Sequence, residues 1–123
     1  MALTCIDLIG MDYCLGGDGT NRQIDCINLV YITLKEVGIA TPPFNHGWYE
    51  MPTRQVLRHL LQWGKRIDHL GYDGDVVLLP QDRWAFAAVW NQGILHISSL
   101  TKQVAWCPFW VLKNAYYFRT RSS

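Results

Sequence analysis

The apolar positions of this chain change their period about halfway along it. Up to about residue 63 they recur at helical spacing, and from residue 76 onward they gather into short runs separated by turn residues. Leu3 to Met11 reads as a short first helix. Tyr13 to Asn21 reads as a loop, because Gly16, Gly17, Gly19 and Asn21 supply positions for positive φ. A second helix is expected to start near Asp25 and run to Val37. Its core face would carry Ile27, Val30, Tyr31, Leu34 and Val37, and Gly38 would end it. Pro42, Pro43 and Gly47 make 39–49 a loop. Pro52 suits the first position of a third helix with Val56, Leu57, Leu60 and Leu61 inward and Gly64 at its end.

The second half reads as strands. After a turn at Tyr72-Asp73-Gly74-Asp75, they are expected at Val76 to Leu79, Trp84 to Trp90, Ile94 to Ser98, Gln103 to Trp106 and Ala115 to Thr120. A helical turn is expected around Phe109 to Leu112. Asn91-Gln92-Gly93 and Leu100-Thr101-Lys102 are short enough to be hairpin connections, which makes the sheet antiparallel. Trp84 to Trp90 does not alternate with polar residues, so it is expected as a central strand covered on both faces. Helices first and strands second is the α+β pattern: N-terminal helices packed on an antiparallel sheet.

Length and charge narrow the picture. A chain of 123 residues, half of them hydrophobic, is expected to be one packed domain spanning 1–123. A net charge of +1 with scattered basic residues argues against a nucleic-acid footprint. No stretch is apolar enough to span a bilayer, so no membrane insertion is expected. The first residues lack the basic start and apolar core of a secretory signal, which implies synthesis in the cytoplasm. The cysteines, Cys5, Cys14, Cys26 and Cys107, form no C-x-x-C pair. Neither a disulfide framework nor a metal site follows from their spacing, and no cofactor is implied. Cys5 and Cys107 read as buried structural thiols.

Cys26 is the candidate for chemistry. It falls in the first turn of the second helix with Asp25 as the expected N-cap. Unpaired amides and the positive end of the helix dipole stabilise a thiolate there and could donate to an oxyanion. The Asp25 carboxylate works against the thiolate. Spacing alone leaves a reactive thiol and an inert one equally open.

The run Asp12-Tyr13-Cys14-Leu15-Gly16-Gly17 followed by Asp25-Cys26-Ile27-Asn28-Leu29-Val30 resembles the NlpC/p-sixty papain-like cysteine peptidases. Gly74-Asp75-Val76-Val77-Leu78-Leu79 is similar to the family's Gly-Asp strand that opens the sheet. Gly93-Ile94-Leu95-His96 is similar to the strand bearing the third, orienting member of the triad. The resemblance runs from Leu8 to Arg119. It implies a papain-like fold with Cys26 as nucleophile, Tyr13 as a hydroxyl lining the site and His96 as the third polar group. The family's catalytic histidine belongs on the strand after Gly-Asp. Here that strand reads Trp84-Ala85-Phe86-Ala87-Ala88-Val89-Trp90, with Phe86 standing where the imidazole is expected. General acid–base help is worth about 10²- to 10⁴-fold, so cleavage without it is expected to be very slow or absent.

His96, one strand away, is the candidate substitute base; its alternative is a half-buried imidazole bonded to the sheet or to Tyr13. His46 and His59 read as surface residues, and His69 has no obvious partner. Aromatic residues are numerous, and Trp106-Cys107-Pro108-Phe109-Trp110 is expected to leave some exposed as a protein contact. The resemblance is nearest to short stand-alone cell-wall peptidases encoded with bacteriophage tail genes, which share an aromatic–basic strand like Ala115-Tyr116-Tyr117-Phe118-Arg119. The expectation is a non-catalytic structural component of a phage tail or baseplate, synthesised in the host cytoplasm and carried in the virion, with other tail or baseplate proteins as partners. The alternative is a working peptidase or amidase acting on peptidoglycan peptides through Cys26 and His96. A cytoplasmic acyl-transfer or thiol-sensing protein is a third reading.

Overall fold

The computed structural model describes residues 3–39, 65–67, 72–79, 85–109 and 116–119. The expected third helix, the loop before it and the helical turn beyond Phe109 lie outside the described residues, as do His46, His59, His69 and Trp84.

The first helix, α1 (Cys5–Leu8), is shorter than the apolar pattern suggests. The Asp7 carboxylate accepts from the Thr4 N–H at 2.9 Å and from its hydroxyl at 3.0 Å, which fixes the helix start. Gly10, at φ 90°, then turns the chain away. Met11 and Tyr13 are needed elsewhere: Val104 donates to the Met11 carbonyl and Tyr13 donates to the Lys102 carbonyl, so this segment lines an edge of the main sheet.

A two-residue parallel ladder follows, pairing β1 (Asp12–Tyr13) with β2 (Gln23–Ile24). The glycine-rich segment between them therefore leaves and returns to the same place. Its return is a 3-10 turn, Thr20–Arg22, in which Asn21 and Arg22 both take positive φ. The sequence shows the loop but not this ladder, since two residues are too few to give a period.

Helix α2 (Cys26–Glu36) agrees with its expected ends. Asp25 is the N-cap, its carboxylate accepting from the Asn28 N–H at 2.8 Å. At the far end Gly38, at φ 80°, donates to Lys35 while Ile39 donates to Leu34, a Schellman closure. The buried stripe differs from the expected one: Leu29, Val30, Thr33 and Leu34 face the core, and Ile27 and Tyr31 are only partly covered. Thr33 can sit there because its hydroxyl donates to the Leu29 carbonyl at 2.9 Å.

The main sheet has, among the described residues, the order β3 (Lys65–Ile67), β8 (Tyr116–Arg119), β4 (Val76–Leu79), β5 (Ala85–Trp90), β6 (Gly93–Ile97), β7 (Val104–Pro108). Every neighbouring pair is antiparallel. The strands from β4 onward match the expected ones within about two residues, whereas β3 has no counterpart in the sequence reading. Lys65-Arg66-Ile67 is too short and too basic to be read as a strand; its pairing with β8 supplies the backbone partners.

Period-two alternation divides the strands between two faces. Val76, Leu78, Phe86, Ala88, Leu95, Val104 and Phe118 pack with α1 and α2 in one core. Val77, Leu79, Ala87, Val89 and Ile94 form a second cluster on the opposite face, joined by Cys107, Phe109 and Tyr117. β5 is thus a central strand covered on both faces, as its unbroken apolar run implies. The chain is α+β, with helices on an antiparallel sheet.

Candidate functional site

The N-terminus of α2 is built around one carboxylate. Asp25, 1% exposed, accepts from the Gly16 N–H at 2.9 Å, from the Asn28 N–H and from the Asn28 side-chain amide at 3.0 Å. Its own N–H donates to the Gly17 carbonyl, and Gly17 donates back to Cys14. A Cβ on Gly17 would lie 2.9 Å from the Cys14 oxygen and from the Gln23 backbone, so only glycine fits this crossing. Asp25 therefore clamps the Gly-Gly loop to the helix start and fixes the residue after it. The capping role of Asp25 beside the thiol follows from its place at the helix start, whereas its hold on Gly16 depends on the fold of the loop.

Cys26 takes the first helical position and packs against the core on the β5 side. Burial is the largest influence on its thiol and raises the pKa above the ordinary 9.0; the Asp25 charge pushes the same way. Backbone N–H groups of Phe86, Cys26 and Ile27 pull it back without cancelling the rise. The helix start supplies donors, as expected, but desolvation wins. The strand segment facing the sulfur is Phe86, whose ring is part of the same buried core.

His96 does not meet Cys26. Its neighbours in β6, Leu95 and Ile97, both pack into the helix-side core, so the pleat sends His96 to the other face. The register sets it opposite Ala105 on β7 and, continuing the Ala88–Leu95 pairing, beside Ala87 on β5. Its Nδ1 is buried with no hydrogen-bond partner among the described residues, and burial lowers its pKa below the usual 6.5. Gly93-Ile94-Leu95-His96 does lie in a strand, but the motif leaves the face of His96 open, because one residue of register decides it. Tyr13 lies on β1, 45% exposed, with its backbone held by Lys102.

Two further features bear on the Gly-Asp and aromatic–basic motifs. Asp75 is fully buried and receives Arg119 in a two-pronged pair, Nε to Oδ1 at 3.2 Å and the terminal nitrogen to Oδ2 at 3.1 Å. The Tyr72 N–H donates to the same carboxylate at 2.7 Å, and the guanidinium lies 4.6 Å from the Tyr72 ring centroid. These motifs thus lock the entry of β4 to the end of β8, a structural task. All four cysteines are free. Cys5 is buried with its sulfur 3.6 Å from the Thr33 hydroxyl, and burial first, then Glu36, pushes its pKa up to about 12. Cys107 is half-buried on the second face. Among the described residues no three His, Cys, Asp or Glu side chains converge as metal ligands, and no helix is long and apolar enough to cross a membrane.

The Cys26 thiol, its pKa raised chiefly by burial, faces backbone donors and the Phe86 segment, and the one imidazole of the described residues lies on the far side of the sheet. No family model matches the chain, and no curated protein matches it in sequence.

Proposed function

We propose that this chain is an NlpC-type papain-like domain without hydrolase activity, serving as a structural component of a bacteriophage tail or baseplate and binding neighbouring proteins there. The observation that supports it is the surroundings of Cys26: a sulfur at the first turn of a helix, desolvated and facing the Phe86 segment of β5, with no imidazole beside it among the described residues. A papain-like nucleophile needs a base that lowers the thiol pKa and then protonates the leaving amine. Here the pKa moves the other way. The tail or baseplate setting rests on the sequence resemblance.

The test is incubation of the purified chain with peptidoglycan peptides beside a Cys26→Ala control. The reading expects no difference in released peptide between the two. Release that depends on Cys26 would favour the peptidase instead. Mass spectrometry of purified particles that encode the chain tests the setting: its presence in the tail supports the reading, and its absence counts against it.

A further inference from the structure

The β5–β6 hairpin carries an aromatic platform that the thiol site does not use. Trp106 on β7 reaches diagonally over Gly93, where an added Cβ would lie 2.5 Å from ring carbons Cε2 and Cζ2. Its indole N–H donates to the Trp90 carbonyl at 2.9 Å. The ring is therefore seated on backbone and its one polar atom is satisfied, yet Trp106 remains 37% exposed. It is a rigid ring held at the surface with only its π system left to offer.

The residues beside it are not those of a broad apolar interface. Asn91 and Gln92 form the two-residue turn, both exposed. They sit at φ 52° and 60°, the left-handed region. Turns of this shape favour Asn-Gly, so Asn91 is at home and Gln92 is a strained choice that glycine would relieve. The turn thus carries two side-chain amides, next in sequence to Trp90, whose carbonyl holds the indole, and to Gly93, over which the ring lies. The sequence from Trp90 to Leu95 contains no charged residue.

We infer that Trp106, Asn91 and Gln92 form a binding site for a neutral glycan, with one pyranose ring stacked on the indole and its hydroxyl or N-acetyl groups bonded to the two amides. A sugar offers the matching surface: a C–H face for the ring and neutral donors and acceptors at its edge. The ring is already held by the Trp90 carbonyl and lies on Gly93, so binding immobilises little of the indole. A protein partner fits less well, since a stable interface needs roughly 800 Å² per side and an apolar centre. The inference stands whether or not Cys26 is catalytic.

Calorimetric titration of the full chain with oligomers of N-acetylglucosamine and, separately, of glucose tests it. Binding of either is expected, unaffected by added salt because no charge is involved. Trp106→Ala should weaken it by about tenfold or more, a loss of 1.4 kcal/mol or more. Gln92→Gly should weaken it while raising the melting temperature, which separates loss of the site from loss of the fold. Failure of both sugars to bind up to millimolar concentrations would overturn the inference. So would binding that survives Trp106→Ala, or a Trp106-dependent protein contact with no sugar binding.

Discussion

Replacing Asp25 by alanine should both destabilise the chain and free the Gly-Gly loop. Capping of α2 through the Asn28 N–H is worth about 0.5–2 kcal/mol by comparison with other N-caps. The Gly16 N–H loses a carboxylate acceptor at 2.9 Å, and bonds to charged groups contribute about 1.5–3 kcal/mol. The two effects overlap, since both act through one side chain, so a total of about 2–4 kcal/mol is expected. Asp25→Asn keeps an acceptor for the helix but weakens the hold on Gly16, and should fall near half that loss. Urea unfolding of the three proteins measures the energies. Hydrogen exchange locates them: protection of the Gly16 and Asn28 amides should drop in Asp25→Ala while Leu34 and Val89 stay protected relative to global stability. A loss under about 0.5 kcal/mol, or unchanged exchange at Gly16, would refute the claim that this carboxylate assembles the site.

Three other outcomes follow from the same geometry. His96 has a folded pKa below the unfolded 6.5, so as pH falls through about 6.5 the unfolded chain takes up the proton first. Stability should therefore be flat above that value and decline below it, levelling once the folded pKa is passed; His96→Gln should remove this share of the slope in urea titrations between pH 7 and 5. Asp75→Ala should cost about 2–4 kcal/mol in the same unfolding assay, because it leaves Arg119 and the Tyr72 N–H without their shared acceptor. Gly93→Ala should cost about 1–3 kcal/mol and shift the tryptophan emission, since the new methyl would meet both the Cys107 carbonyl and the Trp106 ring.

Local signals carried most of the fold into the sequence. Asp25 and Gly38 mark the ends of α2 because capping chemistry acts within a few residues. The unbroken run in β5 marks a strand covered on both sides. What stayed hidden depends on partners distant along the chain. β3 exists through its pairing with β8, and β1–β2 is a ladder of two residues. The burial of Thr33 follows from a bond inside its own helix, which hydropathy does not register. The site divides in the same way. Cys26 at a helix start was legible in spacing, whereas Phe86 on the strand opposite it was expected only from the family resemblance. The face taken by His96 was not, because it turns on a single residue of register.

The most direct test of the inert thiol is its own titration. Alkylation of Cys26 is followed residue by residue by mass spectrometry across pH, with Cys26→Ser as control and Cys14 as the half-buried comparison thiol in the same molecule. A midpoint above 9.0 and slow labelling at neutral pH are expected from burial beside the Asp25 charge. A midpoint below about 7, the range of thiols paired with an imidazole or activated at a helix start, would contradict the account.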